Sequence, residues 1–118
     1  MGKKILLVDE NLRVRELLYN ALTKQGYEVI TADGGKQALE LFGIQKPDLI
    51  LLDFKMPDMN GVEVLAKIKS LDNKVKIIML TGYESEELEK EARLLGASGF
   101  LPKSSGMEAI VKAVNEML

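Results

Sequence analysis

Four short apolar runs in this chain end on groups that can do chemistry. Lys4-Ile5-Leu6-Leu7-Val8 ends on Asp9-Glu10, and Leu49-Ile50-Leu51-Leu52 ends on Asp53. Val75-Lys76-Ile77-Ile78-Met79-Leu80 ends on Thr81-Gly82, and Gly99-Phe100-Leu101 on Pro102-Lys103. Carboxylates brought together act as nucleophiles or hold a hard cation, while a hydroxyl and an ammonium hold anionic oxygens. Each group also has a plainer reading. Asp53 can be a polar stop where a strand meets water, Asp9-Glu10 can open a helix where acids are favoured, Thr81 can end a strand, and Lys103 can be a solvated surface lysine. The choice turns on whether the fold gathers the four ends.

Composition narrows the chemistry. The chain has 118 residues, 47% hydrophobic and 29% charged, which suits one soluble domain with its own core. With no Cys and no His there is no disulfide, no thiol or imidazole nucleophile, and no soft metal ligand, so any metal must be a hard cation on oxygen. A net charge of -2 gives no footprint for nucleic acid or an acidic membrane. No apolar run approaches the ~20 residues that span a bilayer, and Met1-Gly2-Lys3-Lys4 leads straight into a strand rather than a signal peptide. A cytoplasmic protein is expected.

The elements that must position these groups follow from pattern. Leu49–Leu52, four apolar residues between Pro47 and Pro57, are too few for a free helix and fit a strand buried on both faces. Lys4–Val8 reads the same way. Tyr27–Ala32 alternates, as a strand nearer the sheet edge does. Val75–Leu80 and the short Gly99–Leu101 complete five strands. Between them lie helical patterns. The first runs from about Asn11 to Gln25, with Val14, Leu17, Leu18, Ala21 and Leu22 as its stripe and Gly26 as its stop. Leu12 falls off that stripe, either as a harmless exposed residue or as a contact for a docking partner. A second helix carries Ala38, Leu39, Leu41 and Phe42, and a third Val62, Leu65, Ile68 and Leu71. A fourth begins near Ser85 and closes at Gly96. Ser105-Gly106-Met107-Glu108 reads as a capping box opening a fifth with Met107, Ile110, Val111, Val114 and Met117, whose methionines serve as core filler.

Strand and helix alternating five times predict an α/β fold: one doubly wound, five-stranded parallel sheet of order 2-1-3-4-5, flanked by five helices. In that order the first and third strands are neighbours, so Asp9 and Glu10 lie beside Asp53, with Thr81 and Lys103 on the same rim. Carboxylates this close repel. At ~4 Å and an effective dielectric of ~20, each like-charged pair costs about 4 kcal/mol, so one must protonate or a cation must intervene. An all-oxygen acidic site suits Mg²⁺, and with Lys103 and Thr81 it can accept a phosphoryl group.

Taken together, Val8-Asp9-Glu10, Leu52-Asp53-Phe54-Lys55-Met56-Pro57-Asp58-Met59-Asn60-Gly61, Leu80-Thr81-Gly82 and Pro102-Lys103 resemble the signature of receiver domains of two-component response regulators. The resemblance covers residues 1–118 as one receiver domain of flavodoxin-like fold. It implies a phosphoacceptor, Asp53, that takes phosphate from a sensor histidine kinase or histidine phosphotransfer protein. It implies a phosphoprotein that would promote its own phosphorylation and dephosphorylation rather than an enzyme turning over a substrate. The resemblance further implies Mg²⁺ on Glu10, Asp53 and the backbone carbonyl of Lys55, with Asp9 acting through water. Thr81 and Lys103 would bind phosphoryl oxygens. Phe100 would be the aromatic switch that follows Thr81 and reshapes an output face for a downstream effector domain or protein, though it reads equally as a core aromatic. A monomer is expected, with dimerisation on phosphorylation left open.

Two departures stand out. Glu10 occupies a position where many relatives have Asp. Lys103 precedes Ser104 where the family commonly has a proline joined through a cis peptide. A cis bond before a non-proline residue costs ~2.5–4 kcal/mol, so a trans bond is expected unless surrounding contacts hold it cis, and the placement of Lys103 depends on which. An unphosphorylated receiver serving as a docking module is the alternative. A flavin-binding module lacks its phosphate loop here, and a haloacid-dehalogenase-type hydrolase would need an acid where Lys55 stands. The acids Glu84, Glu86, Glu87, Glu89 and Glu91 on the fourth helix argue against direct contact with nucleic acid.

Overall fold

The structure is a computed structural model that describes residues 2–82 and 85–118. Met1 and Glu84, both used in the sequence reading, lie outside the described residues. The elements run β1 (Lys4–Val8), α1 (Leu12–Lys24), β2 (Glu28–Ala32), α2 (Gly35–Gln45), β3 (Leu49–Asp53), α3 (Gly61–Leu71), β4 (Lys76–Thr81), α4 (Glu86–Leu94), β5 (Gly99–Pro102) and α5 (Met107–Met117). One 3-10 turn, Lys103–Ser105, was not foreseen. The strands form a single parallel sheet in the expected order β2-β1-β3-β4-β5. β3 is buried along its whole length, as four apolar residues flanked by β1 and β4 require.

Strand alternation feeds two cores. Leu6, Val8, Ile50, Leu52, Ile77 and Met79 face α2, α3 and α4. Ile5, Leu7, Leu49, Leu51, Ile78 and Leu80 face α1 and α5 through Leu18, Leu22, Ile110 and Val114. Full burial of such a side chain contributes roughly 1.5–3 kcal/mol over leaving it in water. Met107 and Met117 pack against the second core, so they are filler as expected.

Three local expectations need correction. Leu17 is not a core residue: it is 45% exposed, because the buried face of its helix centres on Leu18 and Leu22. Tyr27 precedes β2 rather than joining it. The capping box at Ser105 does not form, because Ser105 is spent in the 3-10 turn. Gly106, at φ 91°, becomes the N-cap of α5 instead, without a side-chain bond. Leu12 is exposed, as read from its phase.

Candidate functional site

Parallel register puts the carboxyl ends of β1, β3, β4 and β5 on one rim, and the polar groups gather there. Asp9 directly follows β1 and is completely buried. Its N–H extends the ladder to Ala32 (3.1 Å), its Oδ1 accepts from the Asn11 N–H (2.9 Å), and its carbonyl accepts from Arg15 Nη1 (2.7 Å). Asn11 in turn caps α1 by accepting from the Val14 N–H at 3.0 Å. The β1–α1 turn is thus fastened to Asp9 at its carboxylate by Asn11 and at its carbonyl by Arg15. Asp53, the last residue of β3, is also buried. Thr81 ends β4 opposite Pro102 and is buried too.

Lys103 joins the two acids. Its Nζ lies 2.8 Å from Asp9 Oδ2 and 3.1 Å from Asp53 Oδ1. The Lys103–Ser104 peptide is trans, since no cis bond occurs among the described residues. The lysine therefore reaches the acids from the start of the 3-10 turn without a cis peptide after it. Glu10, Asp53, Phe54, Lys55, Thr81, Gly82 and Lys103 line one cleft of about 170 Å³. A larger groove of about 930 Å³ between α1 and α5 touches none of them, so cavity size does not mark the chemistry here.

The electrostatics follow from burial and pairing. Burial and then the neighbouring Asp9 charge push the Asp53 carboxyl up to about 6 from 3.8, against the opposing pull of Lys103 and of the Lys55 N–H that it accepts. For Lys103, partial burial works downward, but the hydrogen bonds and charges of Asp9 and Asp53 outweigh it and raise its pKa. At neutral pH the pocket therefore holds an ionised Asp53, poorly solvated and neutralised chiefly by one ammonium.

The donor set suits a hard cation. Every candidate ligand is an oxygen, and the fully buried Asp9 Oδ2 is met by the Lys103 ammonium at 2.8 Å. No three acidic side chains converge into a ready-made metal cage among the described residues. An ion that keeps several waters and takes one or two carboxylates does not require such a cage.

Of the residues read from the sequence, the structure brings Glu10, Asp53, Lys55, Thr81 and Lys103 to one cleft, with Asp9 against Lys103 beneath it. Phe100 stands apart. It is half-buried against the first core and lines a separate cavity of about 260 Å³ with Ser85, Glu86, Glu89 and Pro102. Sequence reasoning missed Arg15, Asp58 and the close-packed glycines Gly34, Gly35 and Gly61. One signal was present: Gly34 at the start of α2 has no side chain to cap it, so the cap had to come from elsewhere.

Comparison with known proteins points the same way. The sequence matches the family described as "Response regulator receiver domain" over residues 5–115. It is 36% identical to sporulation initiation phosphotransferase F of Bacillus subtilis, over 100% of this chain and 95% of that protein. Its fold matches a CheY-like response regulator receiver domain protein from Methanospirillum hungatei with a TM-score of 0.94 and 31% identity, covering 98% of this chain and 93% of the other. It also matches the response regulator TrrA of Thermotoga maritima, solved in complex with Mg²⁺-BeF, with a TM-score of 0.89 and 35% identity over 98% and 99% of the two chains. The alternating α/β architecture agrees with these comparisons, and the chain belongs to the receiver domain family of two-component response regulators.

Proposed function

We propose that Asp53 is the phosphoacceptor of this domain and that the residues around it form its phosphorylation site. The observation that carries the reading is the Lys103 ammonium set between the buried carboxylates of Asp9 and Asp53, in the cleft that Thr81 and Glu10 also line. An Asp53 oxygen attacks the phosphorus of a phosphohistidine on a cytoplasmic kinase or phosphotransfer protein. The new O–P bond forms as the N–P bond breaks, and the imidazole leaves with the electron pair and takes up a proton. With its pKa near 6, Asp53 is mostly ionised at pH 7 and needs no separate base. Lys103 and Thr81 hold the phosphoryl oxygens. Glu10, Asp53 and the Lys55 carbonyl, with Asp9 through water, would hold Mg²⁺, which when bound supplies positive charge against the carboxylates and the incoming anion. Hydrolysis of the same acyl phosphate returns the carboxylate, so the domain acts as a self-resetting acceptor.

The output runs through Thr81 and Phe100. Thr81 pairs with Pro102, and Phe100 lies two residues back on β5, half-buried, where it would turn into the space that Thr81 vacates. Phosphorylation shifts that equilibrium and alters the face formed by α4, β5 and α5 toward an effector. The acids Glu86, Glu87, Glu89 and Glu91 on α4 make that effector surface unsuited to nucleic acid.

Incubation with acetyl phosphate and Mg²⁺, followed by intact mass measurement, tests the assignment. A single hydroxylamine-labile phosphoryl adduct, absent from Asp53→Asn, is expected. Failure of every phosphodonor to modify Asp53, or an adduct mapped to another residue, would overturn it.

A further inference from the structure

α2 begins with a helix end that its own sequence leaves uncapped. Its N-cap, Gly34, has no side chain, yet the first N–H groups are satisfied. The partner comes from the loop after β3: Asp58 Oδ1 accepts from the Gly35 N–H and Asp58 Oδ2 from the Lys36 N–H, both at 2.9 Å. Oδ1 also accepts from the Met59 N–H at 3.0 Å, which bends the loop around the carboxylate. The two glycines make the approach feasible. A Cβ on Gly34 would lie 3.0 Å from Asp58 Oδ1, and one on Gly35 would lie 2.2 Å from Met59 Cγ. The loop is therefore docked on the helix end with no space between them.

The same loop carries cleft residues at its other end. Phe54 N–H donates to the Leu80 carbonyl (3.0 Å) and Gly61 N–H to the Phe54 carbonyl (2.6 Å). Lys55 donates its N–H to Asp53 and lines the cleft. Between Phe54 and Gly61, Lys55 and Pro57 are exposed; Met56 is buried in the first core and Asn60 is held in the capping box of α3, while Asp58 ties the middle of the loop to α2. We propose that Asp58 is a positioning residue for the phosphorylation site: by clamping the loop onto the first turn of α2 it fixes the backbone of Lys55 at the cleft. The proposal rests on the reading of that cleft as a cation and phosphoryl site. A carboxylate is suited to the task because it offers an ionised acceptor to each of two N–H groups at a positive helix end, which strengthens both bonds. Those N–H groups hold the Asp58 carboxyl below its ordinary range. An amide has only one acceptor oxygen and would keep one bond of the pair.

The experiment compares wild type, Asp58→Ala and Asp58→Asn by amide NMR of the whole chain, with and without Mg²⁺ alone. In Asp58→Ala the Gly35 and Lys36 amides should move upfield and lose exchange protection, and the Lys55 and Phe54 amides should shift with them. Mg²⁺ should bind roughly tenfold more weakly, as when a group supporting a metal ligand is lost. Asp58→Asn should recover one of the two α2 amides and part of the affinity. If the α2 amides move while Lys55, Phe54 and Mg²⁺ affinity stay as in wild type, Asp58 is only a helix cap and the proposal falls. If wild type itself shows no response to Mg²⁺, the reading of the cleft fails separately. The Lys55 amide then decides alone: displacement in either variant supports the clamp, and none overturns it. Should Asp58→Ala not fold, Asp58→Asn carries the same comparison.

Discussion

The carbonyl oxygen of Asp53 sits where a side chain on Gly61 would begin: a Cβ built there lies 2.4 Å away, and the Phe54 Cα is 2.9 Å from the same point. Both obstacles are backbone, so they cannot turn aside. Gly61→Ala is expected to cost ~1–3 kcal/mol by overpacking and to slow phosphorylation by displacing the end of β3. Gly43→Ala, at an open position inside α2 with nothing within 4 Å, should stabilise by about 0.5–1 kcal/mol. Urea denaturation of the two variants checks the pair, and equal effects would show that the contact at Gly61 is not tight.

Lys103→Met removes the cation between two buried acids. A destabilisation of about 2–4 kcal/mol is expected at pH 7, since an ion-pair partner is lost while the charges stay buried. The loss should shrink as pH falls below about 6 and Asp53 takes up its proton. Adding Asp53→Asn to the same chain should recover much of it. In the wild type the raised Lys103 pKa means its contribution is complete below its ordinary value of 10.5 and is lost as pH climbs through the higher folded value. Thermal melts across pH give the comparison.

Asp53→Asn alone should stabilise the domain near neutral pH. The folded carboxyl holds its proton up to about 6, above its ordinary 3.8. The native state therefore binds more protons than the unfolded chain in that window, and stability falls as pH rises through it. The substitution removes this penalty, on the order of 1–3 kcal/mol. Wild type and variant should differ most at pH 7 and converge near pH 4. A constant difference over that range would contradict the assigned direction.

Ser105 and Gly106 separate two accounts of how α5 begins. Ser105→Ala should change stability by less than about 0.5 kcal/mol, because its hydroxyl caps nothing. Gly106→Ala has open space around its Cβ but a φ of +91°, and should cost ~1 kcal/mol or more through the backbone alone.

The sheet was legible because buried parallel strands are continuous apolar runs, and Lys4–Val8 and Leu49–Asp53 have no competing helical phase. The polar ends of those runs then placed Asp53, Thr81 and Lys103 once strand order was known. Asp58 was illegible for a physical reason: its partners Gly35 and Lys36 lie more than twenty residues back, and a turn-rich loop explains an aspartate without them. The misread capping box had a local cause, a 3-10 turn that consumed Ser105 before α5 could start. Leu17 shows the limit of helical phase, which says which face is apolar but not how far the covering sheet extends.

Because β3 and its neighbours are apolar on both faces, alternation of polarity cannot fix how far one strand slides along the next. Charged or polar residues stand at the two ends instead: Lys4 and Asp9 about β1, Asp48 and Asp53 about β3, Lys76 and Thr81 about β4. A slip of one residue would drag a charge into the dry layer at one end or strand an apolar residue in water at the other. The polar groups at the strand ends, Asp53 among them, thus also mark the alignment of one strand on the next, and replacing several of them together should broaden the native ensemble before it weakens the core.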